Sequence, residues 1–312
     1  MSFRNDAVGD AGVFLSRQLE QRLPKVYEKR YPALKFSNGL LLPATAELEA
    51  GADSVVEEIM ETIGEVGESS ADQIDDIPLA DASVTEFKYP VMVKPIAIRY
   101  SVRELQAAMK GNRNIRGMRE MAARRAIEES SNKVSAYGDK KTSSVGLLND
   151  PNVPVNNSSF NPYTATQDDL IDFLTGEVTK IIDSTKMTEE PDTMLVPVKL
   201  HELITNKRIP DSPLTVKKFI LENNPYIKDI VPCTELAASE LEANGVETSG
   251  TNKDSIMIYP RNPEIVQRIF EPLSIMQPQL RGLNYVVIMY YATTGAIWHY
   301  PGSALRIKVA KA

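Results

Sequence analysis

The stretch VRELQAAMKGNRNIRGMREMAARRAIEESSNKVSAYGDKKTSSVGLLN, Val102–Asn149, decides how the rest of the chain is read. Val102–Met109 has the composition of a short helix, closed by Gly111. From Ile115 to Tyr137 there is no proline and one early glycine, Gly117. Ala, Arg, Glu and Met dominate this run, and they lose little on entering a helix. Glu120 and Arg124, Arg124 and Glu128, and Arg125 and Glu129 are spaced i,i+4, a ladder of opposite charges along one side. Ile115, Met118, Ala122, Val134 and Tyr137 mark an apolar side. Gly138 supplies a stop. The spacing predicts a long, two-faced rod, followed by a loop that carries Tyr137-Gly138-Asp139 and Gly146-Leu147-Leu148-Asn149.

The 312 residues are enough for about two conventional domains. With 42% hydrophobic and 25% charged residues the composition is that of a soluble globular protein. The longest apolar runs, such as Tyr285–Ala292, are too short to span a membrane, and Met1 begins no signal peptide. One cysteine, Cys233, excludes an internal disulfide framework. The two histidines, His201 and His299, stand far apart, so no His/Cys metal cluster can be written. No cofactor, metal or membrane partner is expected.

The net charge of −7 conceals an asymmetry. Between Lys35 and Lys88 there is no Lys or Arg, yet the interval holds thirteen acids: Glu47, Glu49, Asp53, Glu57, Glu58, Glu61, Glu65, Glu68, Asp72, Asp75, Asp76, Asp81 and Glu86. The 42 acidic residues less those thirteen face 35 basic ones, so the remainder of the chain is mildly basic. A solvated acidic loop is one reading. The other is an acidic arm that lands on a basic surface of a neighbouring copy.

Ahead of the rod, Ala11–Glu28 reads as an amphipathic helix kinked or split at Pro24. Val55, Val56, Ile59, Met60 and Ile63 fit a helical period, whereas the β-branched content favours a strand. Val84–Tyr100 reads as a strand. Together the two limbs make a long hairpin with a polar tip at Asp75-Asp76-Ile77-Pro78, marginal alone and needing support. Beyond the rod, Thr166–Asp169 opens a helix carrying Leu170, Leu174, Val178, Ile181 and Ile182. Strands follow at Pro191–Pro197 and Ile227–Val231, and helices around Leu200–Thr205 and Pro213–Asn223, making an α/β lobe. Glu235–Asp254 reads as an exposed polar loop. Strand candidates close the chain at Ser255–Tyr259, Ile269–Leu280, Tyr285–Ala292, Ala296–Tyr300 and Leu305–Val309.

A long helix followed by "YGD" and "GLLN" resembles the spine helix and following loop of tailed-phage major capsid proteins, the Hong Kong 97-like fold that encapsulins share. "DDIP", "PDTMLVP", "LTVKKFILENNPYIKDI" and the closing "RGLNYVV" and "GAIWHYPGSALRI" fall in the order of one branch of that family, over nearly the whole chain. The resemblance implies an α+β fold in five parts: an N-terminal arm (1–50), an extended E-loop hairpin (51–100), a peripheral domain with the spine helix (101–160), an α/β axial domain (161–272) and C-terminal strands returning to the peripheral domain (273–312). It also implies a non-enzymatic shell subunit that self-assembles as hexamers and pentamers into an icosahedral shell around double-stranded DNA. Such a subunit is assembled in the host cytoplasm and housed in the virion, with portal, scaffold and decoration proteins as further partners. An encapsulin-like compartment is the alternative, and a soluble α/β enzyme the third reading. Some relatives cross-link through a hairpin Lys; with no Lys between Lys35 and Lys88, that chemistry is not expected. No coiled-coil scaffolding segment precedes the arm, which implies a separate scaffold, a removed segment or none.

No catalytic constellation emerges. Gly111–Gly117 lacks the Gly-Lys-Ser/Thr ending of a phosphate loop, and Ser303 lacks a nucleophile elbow. His201 beside Glu202 reads as a packing or surface histidine, Asp75-Asp76 and Asp168-Asp169 as capping or solvated charges, and Cys233 has no activating neighbour in sequence. The expected contact residues between copies are Glu57, Glu58, Glu61, Asp75 and Asp76 on the hairpin, facing Arg113, Arg116, Arg124 and Arg125 on the spine of the neighbour. A self-supporting charge lattice along the helix is the competing reading of those arginines.

Overall fold

The computed structural model describes residues 33–64, 80–110, 115–210, 213–248, 250 and 252–311. The helix expected over Ala11–Glu28, the tip at Asp75 and Asp76, and Arg113 lie outside these residues, as does the side chain of Arg116. The helices are α1 (Val102–Lys110), α2 (Ile115–Tyr137), α3 (Gln167–Ser184), α4 (Val198–Asn206), α5 (Val216–Asn223) and α6 (Ala238–Ala243). The strands are β1 (Ala44–Thr45), β2 (Ser54–Ile63), β3 (Asp81–Pro90), β4 (Met92–Ser101), β5 (Val155–Asn157), β6 (Thr193–Pro197), β7 (Asp229–Cys233), β8 (Lys253–Tyr259), β9 (Val266–Ile275), β10 (Gln279–Arg281), β11 (Asn284–Thr293), β12 (Ile297–Trp298) and β13 (Leu305–Ala310).

One sheet runs β5-β13-β8-β6-β7. Its central strands are apolar on both faces because both faces are covered. Met194, Val196, Ile256, Ile258, Ile307 and Val309 point toward α3, α4 and α5, meeting Leu170, Leu174, Val178, Leu200, Ile204 and Ile220. Leu195, Met257 and Tyr259 face the other way, onto Phe36, Leu41, Leu42, Leu147 and Trp298. Thr166 caps α3 by accepting from the Asp169 backbone N–H, as its sequence signature requires.

The second sheet is built on β11. β4 pairs along its whole length, from Ser101 opposite Asn284 to Met92 opposite Thr293. Its other edge takes β10 at the start and β9 at the end, and β9 also holds β12 and β1. Helix α2 rests on this sheet through Ala123 and Ile127, which meet Ile98, Tyr100, Val287, Met289 and Tyr291. The buried side of the rod is therefore rotated from the expected one: Val134 and Tyr137 are buried, but Met118 and Ala122 face out.

The loop after α2 explains why its motif has those residues. The last carbonyls of a helix lack intrahelical donors. Here Leu147 N–H donates to Ser135 O (2.9 Å), Leu148 N–H to Ala136 O (3.0 Å), and the Asn149 side-chain amide to Tyr137 O (2.7 Å). Gly138, at φ +68°, makes the turn that brings these donors back. "GLLN" is the C-terminal cap of the spine.

Two expectations are corrected. Val84–Tyr100 is two strands, because Pro90 offers no N–H to extend the ladder and Val91 N–H turns to Asp53 O (3.0 Å). Glu235–Asp254 is not an open loop: it contains α6, buries Leu236 and Leu241, and inserts Glu247 between Arg306 and Lys308. The closing strand β13 pairs with β5, antiparallel β8 lying on its other side, in the five-stranded sheet. The segment that fitted either a helix or a strand is the strand β2.

Candidate inter-subunit surfaces

Among the described residues β2 and β3 pair only with each other, in a two-stranded ribbon with Ser54 opposite Pro90 and Ile63 opposite Asp81. At ten residues per strand the ribbon is about 30 Å long. Directly opposed residues share a face. One face carries Val56 with Lys88, Glu58 with Glu86, and Met60 with Val84. The opposite face carries Val55 with Tyr89, Glu57 with Phe87, Ile59 with Thr85, and Ile63 with Asp81. Met60 is 66% exposed and Val84 58%, while Ile63 and Phe87 are exposed on the reverse. Apolar side chains thus face water on both sides of a ribbon too thin to support itself.

The expected contact residues separate into two groups. Glu58 and Glu61 are exposed on the ribbon. Glu57 bonds His299 Nδ1 of the same chain through its carboxylate, and both side chains are largely buried. On the spine, Arg125 pairs with Glu129 (2.9 Å) and Glu128 (4.0 Å) of its own helix. Arg124 is exposed beside them, on the same outward side as Met118 and Met121, which are 55% and 53% exposed. Among the described residues no hairpin carboxylate meets a spine arginine within the chain. Sequence reasoning missed the outward methionines, because two methionines in a helix read as core, and it missed His299, whose partner lies 242 positions away.

The remaining chemistry-bearing residues have structural partners. His201 Nε2 lies 2.8 Å from Lys217 Nζ, and burial together with that ammonium holds its pKa below the ordinary value. Cys233 is fully buried, and burial pushes its thiol pKa well up. The Ser303 hydroxyl donates to Tyr300 O at 2.7 Å.

The fold is shared with solved capsids. The capsid of Myoviridae phage XM1 superposes with a TM-score of 0.79 at 18% identity, over 94% of this chain and 98% of that one. The capsid of the native GTA particle gives 0.64 at 9% identity, over 99% and 100%. The holo-SrpI encapsulin complex of Synechococcus elongatus gives 0.55 at 13%, over 99% and 96%. At these identities the likeness is one of fold, and it is the Hong Kong 97-like α+β fold that the motifs imply. No curated protein matches the chain. A family model described as Major capsid protein matches residues 68–308, from the hairpin to the closing strand, and the chain belongs to that family.

Proposed function

We propose that this capsid shell protein assembles as hexamers and pentamers into an icosahedral tailed-phage shell around double-stranded DNA, with the β2–β3 ribbon of each copy lapping over the spine of its neighbour. The observation that carries the lapping is the ribbon itself, with apolar side chains exposed on both faces and with Glu58, Glu61 and Glu86 bonded to no cation among the described residues. In this arrangement the five-stranded sheet with α3–α5 is the axial lobe around the symmetry axes. The sheet under α2 is the peripheral lobe. Met60 and Val84 settle against Met118 and Met121 of the next subunit, and Glu58 and Glu86 face its Arg124 and Arg125. Many weak contacts of this kind per subunit make a closed shell far stronger than any one of them.

The shell needs no tight DNA site, since enclosure replaces affinity, and an acidic subunit suits that role. Portal, scaffold and decoration proteins are its further partners, and assembly takes place in the host cytoplasm. The test is electron microscopy of purified protein carrying Arg124→Glu and Arg125→Glu. Loss of shells with unchanged circular dichroism is expected; normal shells refute the lapping. Nuclease-protected DNA inside wild-type shells distinguishes a phage capsid from an encapsulin-like compartment, whose contents would be protein.

A further inference from the structure

Two consecutive residues hold both strands of the ribbon. His299 Nδ1 bonds the Glu57 carboxylate of β2, and the Tyr89 hydroxyl of β3 donates to the Trp298 carbonyl at 3.4 Å. Among the described residues these are the hydrogen bonds that tie the ribbon to the sheets. His299 is itself braced from behind. Its Nε2 lies 3.1 Å from Gln267 Nε2, and Gln267 Oε1 accepts from Thr45 Oγ1 at 3.0 Å. A carboxylate oxygen accepts, so Nδ1 is the donor toward Glu57. The chain of bonds therefore runs from Thr45 on β1, through Gln267 on β9, to the residue after β12 and out to β2. Burial, with Glu57 alongside, holds the Tyr89 hydroxyl protonated well above its ordinary range, so it remains a donor.

We infer that Glu57 and His299 form a positioning pair, which fixes the direction in which the ribbon leaves the subunit. Glu57 is the fourth residue of β2, close to the base. From there a tilt of about 10° displaces the end of β2, about 20 Å further on, by roughly 3.5 Å, about one residue's rise along a strand and enough to lose register with a target. Two-stranded ribbons bend and twist readily, so a fixed exit angle requires a fixed base. Tyr89 alone leaves one strand tied, and a single bond acts as a pivot. The pair supplies the second point.

The consequence for assembly rests on the lapping proposed above; the exit angle is a property of the single subunit and is measured separately. Spin labels at Ser83→Cys, on the ribbon, and Lys133→Cys, on the exposed side of α2, report the distance between ribbon and body in unassembled protein. The buried Cys233 thiol stays unlabelled. In the wild-type background a narrow distance distribution is expected. His299→Ala should broaden it about two-fold and lower shell yield at least ten-fold, while His299→Asn, whose amide still offers Glu57 a donor, should restore the narrow distribution. Glu57→Ala tests the same bond from the ribbon side, where β12 is untouched, and should broaden it equally. A wild-type distribution in both alanine variants overturns the positioning role. Broadening with undiminished shell yield upholds the pair and refutes the lapping.

Discussion

Glu58 and Glu86 stand directly opposite each other on β2 and β3, both exposed, with no cation bonded to either among the described residues. Like charges in that position destabilise a strand pair by about 0.2–1 kcal/mol. The proposed lapping would give both carboxylates cationic partners on the neighbouring spine. Glu86→Lys should therefore act in opposite directions at two levels. Amide exchange in β2 and β3 of the unassembled protein should slow, as repulsion gives way to attraction, while shell yield falls. Wild-type assembly by this variant would mean that the pair faces solvent in the shell.

The cap after the spine predicts steep costs. A Cβ on Gly146 would lie 2.4 Å from Tyr137 N and 2.5 Å from Ala136 C and O, all backbone atoms at the end of α2 that cannot swing aside. Gly146→Ala should cost at least about 3 kcal/mol, within the range of severe overpacking. Asn149 both accepts from Gly146 N–H (2.6 Å) and donates to Tyr137 O (2.7 Å), so Asn149→Ala strands two groups and should cost about 1–3 kcal/mol. Denaturant unfolding of the unassembled protein checks both.

These residues show where the sequence was legible. The rod over Ile115–Tyr137 is readable because nothing in it opposes a helix and Gly138 ends it. The helices of the five-stranded lobe are readable because α3 and α5 carry caps and apolar periodicity, with Thr166 and Thr215 each accepting from the third helical N–H. What failed was long-range. Pro90 is visible as a break, but the β-branched run around it hides that β3 and β4 have different partners, one in the ribbon and one far along the chain, where Ser101 pairs with Asn284, 183 positions on. The side of α2 that faces the sheet depends on where β11 lies, so Met118 and Ala122 were placed on the wrong side. Glu57 reads like any acid of the hairpin until His299 is folded onto it.

Glu247 belongs to the same class and predicts a large effect from a segment that looks like a loop. Its carboxylate is 7% exposed and accepts from Arg306 Nη2 and Lys308 Nζ, each at 2.7 Å. Burial alone would depress the Arg306 guanidinium; Glu247 offsets part of that depression. Glu247→Ala leaves two cations of β13 facing a buried, uncompensated site, which typically costs about 3–5 kcal/mol. Thermal unfolding should show it, and a shift no larger than that of an exposed acid such as Glu240→Ala would contradict the burial.

The contact between Lys94 of β4 and Asp139, just past the spine, predicts a pH dependence with a definite sign. The Lys94 ammonium, then the Lys141 backbone N–H, hold the Asp139 pKa below its ordinary 3.8. A carboxyl whose folded pKa lies below its unfolded value binds fewer protons in the native state. Its contribution is therefore complete above the unfolded value and lost as pH falls through the folded one. Both side chains retain some exposure, 31% for Lys94 and 17% for Asp139, so the pair contributes less than about 1 kcal/mol. Lys94→Met should leave the unassembled protein slightly less stable at neutral pH and flatten the acid limb of its stability profile below about pH 4, so that the two curves converge as Asp139 protonates. Parallel curves over that limb would mean that Asp139 takes its low pKa from the Lys141 backbone N–H alone.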